Sequence, residues 1–154
     1  MRRILQPLKD IPFKNIYNGK KVLITGGATG LGQKMAETYS SLGADVIISS
    51  RNLNNLESSS KKIQKKTGNK VNFIRMNLKD HNSILNMIEE LENNYGLPDI
   101  VINNAAGNFI SPSEFLSYNA WNTIIDIVLK GTVDLTLELG KKMIANEKEG
   151  CFLS

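Results

Sequence analysis

The chain has 154 residues, enough for one compact domain and too few for two ordinary ones. Apolar residues make up 41% and charged residues 22%, the balance of a globular chain, and no run approaches the roughly 18 to 20 apolar residues of a membrane span. The net charge of +4 is spread over several segments, whereas a nucleic-acid surface gathers its cations on one face, so no nucleic-acid partner is expected.

Residues 1–18 read as an extended lead-in arm. Arg2 and Arg3 make its start basic, Pro7 and Pro12 break it, and it lacks the apolar core and cleavage site of a secretory signal. Lys21–Thr25 is a short β-branched run that ends in glycines, a first strand. Residues 29–42 then carry Leu31, Met35, Ala36 and Tyr39 at helical spacing. Residues 44–49 form a second strand. Leu53, Leu56 and Ile63 mark a second helix that stops at Thr67-Gly68-Asn69, with Lys61, Lys62, Lys65 and Lys66 on its solvated face. Residues 71–76 are a third strand, and Ile84, Leu85, Met87, Ile88 and Leu91 form the apolar face of a third helix. Residues 99–103 are a fourth strand. The longest helix follows, with a packing stripe through Trp121, Ile124, Ile125, Val128, Leu129, Thr132, Leu135, Thr136, Leu139 and Met143.

After Gly150 a further apolar run opens a fifth strand. Strands alternating with helices imply parallel pairing through right-handed crossovers. The expected fold is therefore α/β, a doubly wound parallel sheet with helices on both faces. A single domain covers 19–154, cut short after the start of the fifth strand. One cysteine, Cys151, and one histidine, His81, argue against a disulfide framework, a zinc site or a Cys–His dyad. Cys151 reads as a buried structural thiol and His81 as a surface residue at a helix start.

The chemistry begins between the first strand and the first helix, at Gly26, Gly27, Ala28, Thr29, Gly30, Leu31 and Gly32. Glycines there let the backbone approach a pyrophosphate, and the helix start offers it unpaired N–H groups and a partial positive charge. The second strand ends Ser49-Ser50-Arg51-Asn52, about 20 residues beyond the last of these glycines. Dinucleotide folds that take NAD place an acid there, on the ribose 2′-hydroxyl. No acid is present. Arg51 instead offers a planar cation to a 2′-phosphate, which makes NADPH the expected cofactor.

The glycine spacing T-G-x-x-x-G-x-G, followed by Asn103-Asn104-Ala105-Ala106-Gly107 after the fourth strand, resembles the short-chain dehydrogenase/reductase family and its Rossmann-type nucleotide domain. The resemblance implies that Asn104 and Ala105 sit against the adenine ribose. It also implies that Asn77, where the family usually has Asp, meets the adenine amino group. Residues 103–112 and 126–132 narrow the likeness to the 2,4-dienoyl-CoA reductases, the mitochondrial ones in particular, over residues 19–154. Val128 stands where most of the family has Asn, a departure those reductases share.

For such an enzyme the resemblance implies hydride transfer to a conjugated dienoyl-CoA of fatty-acid β-oxidation, giving a 3-enoyl-CoA. Asn108 would donate to the thioester oxygen, Phe109 and Ser117 would line the acyl-CoA site, and Lys79 would stand near the CoA where the family has Arg. Each has a plainer reading: a loop-capping amide for Asn108, core packing for Phe109, ordinary surface for Ser117 and Lys79. The family's catalytic Tyr and downstream Lys have no counterpart in the 154 residues, so the chain as written is expected to turn nothing over. A homotetramer and a mitochondrial location are implied for the full enzyme. A related enoyl-CoA or 3-oxoacyl reductase, or a non-catalytic NADP-binding fragment, stays open.

Overall fold

A computed structural model describes residues 15–107 and 110–154. Five parallel strands, β1 (Lys21–Thr25), β2 (Asp45–Ser50), β3 (Val71–Arg75), β4 (Ile100–Ile102) and β5 (Cys151–Leu153), lie in the order β3-β2-β1-β4-β5. Between them run α1 (Gly30–Ser41), α2 (Leu53–Thr67), α3 (His81–Asn94), α4 (Tyr118–Ile125) and α5 (Thr132–Ala145). The doubly wound, Rossmann-like sheet read from the sequence is the one observed.

β1 is central and covered on both faces, so it reads as an unbroken apolar run in which Val22, Leu23 and Ile24 are fully buried. Alternate side chains divide between two cores. Val22, Ile24, Val46 and Ile48 pack with Ala36 of α1 and with Leu56 and Ile63 of α2. Leu23, Ile47, Ile74 and Val101 pack with Ile84, Met87 and Leu91 of α3 and with Leu135, Leu139 and Met143 of α5. Ahead of β1, the Tyr17 amide donates to Leu42 O at 3.1 Å and its ring packs on Tyr39.

Two expectations need correction. The long final helix is divided, because a π-helical turn, Asp126–Gly131, lies between α4 and α5. A wide turn breaks the 3.6-residue period on which the stripe was read. Ile127 is buried, Val128 and Leu129 face outward, and Trp121 is half exposed. The second correction concerns Cys151, which is exposed. β5 is the sheet edge, and its alternation turns Phe152 toward the core and Cys151 away from it.

Asp99 ties together the starts of three strands. Its carboxylate accepts from the Lys21 amide at 2.8 Å and from Lys148 Nζ at 2.6 Å, with Lys20 Nζ at 3.7 Å. Its backbone carbonyl accepts from the Cys151 amide. Burial opposes ionisation of this carboxyl, but the Lys148 and Lys21 hydrogen bonds and the nearby cations outweigh it and hold its pKa below the ordinary 3.8. A depressed folded pKa stabilises the fold above the unfolded value, and that stabilisation is lost as pH falls through the folded one. Asp99→Asn should therefore be less stable than the parent at neutral pH in urea unfolding, with the gap closing in acid. A gap that is constant down to pH 2 contradicts the assignment.

Candidate functional site

The carboxyl ends of β1, β2, β3 and β4 open onto one cleft of about 640 Å³, at the point where the strand order reverses. Its floor is the turn from β1 into α1. Gly26 has φ +66°, its amide donates to Ser49 O at 2.7 Å, and a Cβ there would stand 2.9 Å from Ala105 Cα. A Cβ on Gly32 would run into the Gly26 carbonyl oxygen and the Asn104 carboxamide. Only glycine fits at either position, and the first turn of α1 is thereby drawn close to the strand end. Thr29, the N-cap, is extended and makes no side-chain cap bond, so the first-turn amides of α1 have no capping side chain, and Gly30, Leu31 and Gly32 line the cleft.

The opposite wall is the loop after β4. Asn104 Nδ2 donates to Thr25 O at 3.0 Å and to Gly26 O at 3.4 Å, and the Ala105 amide donates to Thr25 Oγ1 at 3.0 Å. The Asn104 side chain is thus spent on holding the loop, while Ala105 and Ala106 line the cleft. Of the expected phosphate-loop residues, Gly26, Ala28, Thr29, Gly30, Leu31 and Gly32 line it too. Gly27 turns inward, against Ile48.

Arg51 lies exposed just beyond β2 and lines the cleft, as does Asn77 beyond β3. Asn77 Oδ1 accepts from the Lys79 amide at 3.2 Å, which leaves a second lone pair for a ligand amino group. Among the described residues lining the cleft, Arg51 is the only charged side chain.

Lys79 and Ser117 lie outside the cleft. Ser117 Oγ accepts from the Ala120 amide at 3.1 Å and caps α4. Lys79 stands near the π turn, where Lys130, chiefly, and Lys79 hold the Asp126 carboxyl below its ordinary pKa. Asn108 and Phe109 fall outside the described residues. Sequence reasoning gave no site role to Ser49, Ser50 and Ile127, which also line the cleft. The Ser49 and Ser50 hydroxyls are buried without a partner among the described residues. Their place at the carboxyl end of a parallel strand was the available signal.

Gly32→Ala should lower stability by about 1–3 kcal/mol in urea unfolding, because the new methyl has no space. A neutral result would mean that the loop and helix can separate at no cost.

Against known proteins, the sequence model of the short chain dehydrogenase family matches residues 20–151. A probable (3E)-enoyl-CoA-producing 2,4-dienoyl-CoA reductase of Caenorhabditis elegans is 45% identical over 141 residues, covering 91% of this chain and 44% of that protein. A peroxisomal 2,4-dienoyl-CoA reductase of Danio rerio is 37% identical over 118 residues, covering 77% and 39%. The crystal structure of a short chain dehydrogenase from Bacillus anthracis superposes with a TM-score of 0.79 at 40% identity, covering 86% of this chain and 55% of that one. The chain spans less than half the length of these two reductases. With the glycine turn, the switch-point cleft and the matched residues together, the chain belongs to the short-chain dehydrogenase family.

Proposed function

We propose that this chain is the nucleotide-binding part of an NADPH-dependent 2,4-dienoyl-CoA reductase of fatty-acid β-oxidation. The observation that carries the cofactor assignment is the charge of the cleft: among the described residues that line it Arg51 is the only charged side chain, and none is a carboxylate set for a ribose 2′-hydroxyl. The names of the relatives support the substrate class.

The cleft suits such a cofactor on its own geometry. Gly26 and Gly32 let the turn close against Asn104 and so hold the first turn of α1 beside the cleft, and the buried Ser49 and Ser50 hydroxyls have no partner among the described residues. In this reading the amides of Gly30, Leu31 and Gly32 carry the pyrophosphate and Arg51 pairs with the 2′-phosphate. Asn77 meets the adenine, and the Ala105 backbone meets its ribose. When bound, the reduced nicotinamide supplies the hydride. Asn108 is assigned as donor to the thioester oxygen, where charge builds during reduction of a conjugated dienoyl group. Lys79, Phe109 and Ser117 are assigned to the acyl-CoA, with Ser117 also serving as a helix cap.

The protein that carries this chain should consume NADPH and bleach the absorbance of a 2,4-dienoyl-CoA. NADPH binding without any such turnover would make it a nucleotide-binding protein and reverse the reading. Arg51→Ala should weaken NADPH at least about tenfold while NADH changes little, read by calorimetry. Equal loss for both cofactors overturns the role of Arg51. The reading also carries the mitochondrial location implied by the resemblance, and a tagged protein found in peroxisomes would reverse that part.

A further inference from the structure

We propose that Arg75 is a second cation for the cofactor's 2′-phosphate, closing on it from β3 while Arg51 closes from β2. The inference rests on the NADPH reading above and adds to it a residue that no glycine-loop or strand-two signal identifies.

Arg75 is the last residue of β3, and in the parallel register its Cα pairs with that of Ser50. Its Nε donates to the Arg51 carbonyl oxygen at 3.2 Å, so the two arginines are joined through one short span of backbone. That bond uses one of five guanidinium N–H donors. The four on the terminal nitrogens have no acceptor among the described residues. The two arginines line the same polar groove, which adjoins the main cleft and shares Arg51 and Asn77 with it. The Ser50 hydroxyl, which lines the adjoining cleft, is buried and has no partner among the described residues.

Two carboxylates share the groove with the arginines. Asp80 and Glu90 also line it, but Asp80 Oδ1 is committed to the amides of Asn82 and Ser83, at 3.0 and 3.4 Å, at the start of α3. Among the described residues neither Arg51 nor Arg75 makes an ion pair. Asn77, between groove and cleft, is neutral and repels no phosphate. Both guanidinium forks are thus free of direct ion pairs among the described residues, and a dianionic phosphate monoester is an acceptor that suits both. In this proposal a ribose phosphate at the end of β2 sits between the two side chains, which the Arg75–Arg51 hydrogen bond brings together.

The test titrates the full chain and its Arg75→Gln and Arg75→Lys variants with NADPH, NADH, 2′,5′-ADP and 5′-AMP by calorimetry. Arg75→Gln should weaken NADPH and 2′,5′-ADP about tenfold and leave NADH and 5′-AMP within about twofold, with Arg75→Lys in between. NADH binding doubles as the check that the cleft is folded. Equal losses on all four ligands would mean that Arg75 only braces the end of β2, and the inference falls. A parent that prefers NADPH and a Gln variant that keeps the whole preference also overturn it, leaving the NADPH reading intact. A parent with no preference removes both.

Discussion

The Asn104 carboxamide crosses from the loop after β4 to the carbonyls of Thr25 and Gly26, and the rest of the cleft is arranged around that crossing. The amide sits where side chains on Gly26 and Gly32 would have to go, so glycine at both positions is a steric consequence of the lock. Thr25 completes it, accepting the Ala105 amide and donating toward Ile102 O. Two neighbouring parallel strands are thereby fastened beyond the end of their ladder. The first turn of α1 is held at the height where its amides meet the cleft. Fixed donors of this kind need no rearrangement when an anion arrives.

The electrostatic character of the site follows from what surrounds this lock. Small or neutral residues line the cleft near α1, and the cations gather at its far end, past β2 and β3. Several acids are held in ion pairs outside the cleft lining: Asp99 at the amino ends of the strands with Lys148 and Lys20, Asp126 with Lys130, Glu92 with Lys142. Among the described residues the cleft lining carries no carboxylate, while Asp80 and Glu90 stand in the adjoining groove.

Much of this was legible from sequence because it depends on local rules. The turn from β1 to α1 is governed by glycine sterics, and Arg51 by its distance from that turn. The strands β1 and β2 were readable because buried parallel strands leave little room for polar residues. What could not be read depends on neighbours far along the chain. Arg75 is an unremarked strand-end residue until the register sets it beside Ser50 and its side chain meets Arg51. Ile127 was passed over in favour of Val128 because a regular period was carried through the π turn. Cys151 looked buried because its neighbours are apolar, yet it lies outward on the edge strand. The cap formed by Ser117 on α4 likewise needed coordinates to separate it from a surface serine.

The π turn also bears on how the length of this chain can drift. A π turn spaces its hydrogen bonds five residues apart where an α-helix uses four, so Asp126–Gly131 accommodates one residue beyond what a regular helix would need there. Losing a residue within the segment lets the backbone relax to an ordinary helix with both flanks still in phase. Losing one elsewhere in α5 rotates everything beyond it by about 100° and carries Leu139 and Met143 off the sheet. Indels in this helix should therefore be tolerated at one place only, and related chains of differing length should vary there first.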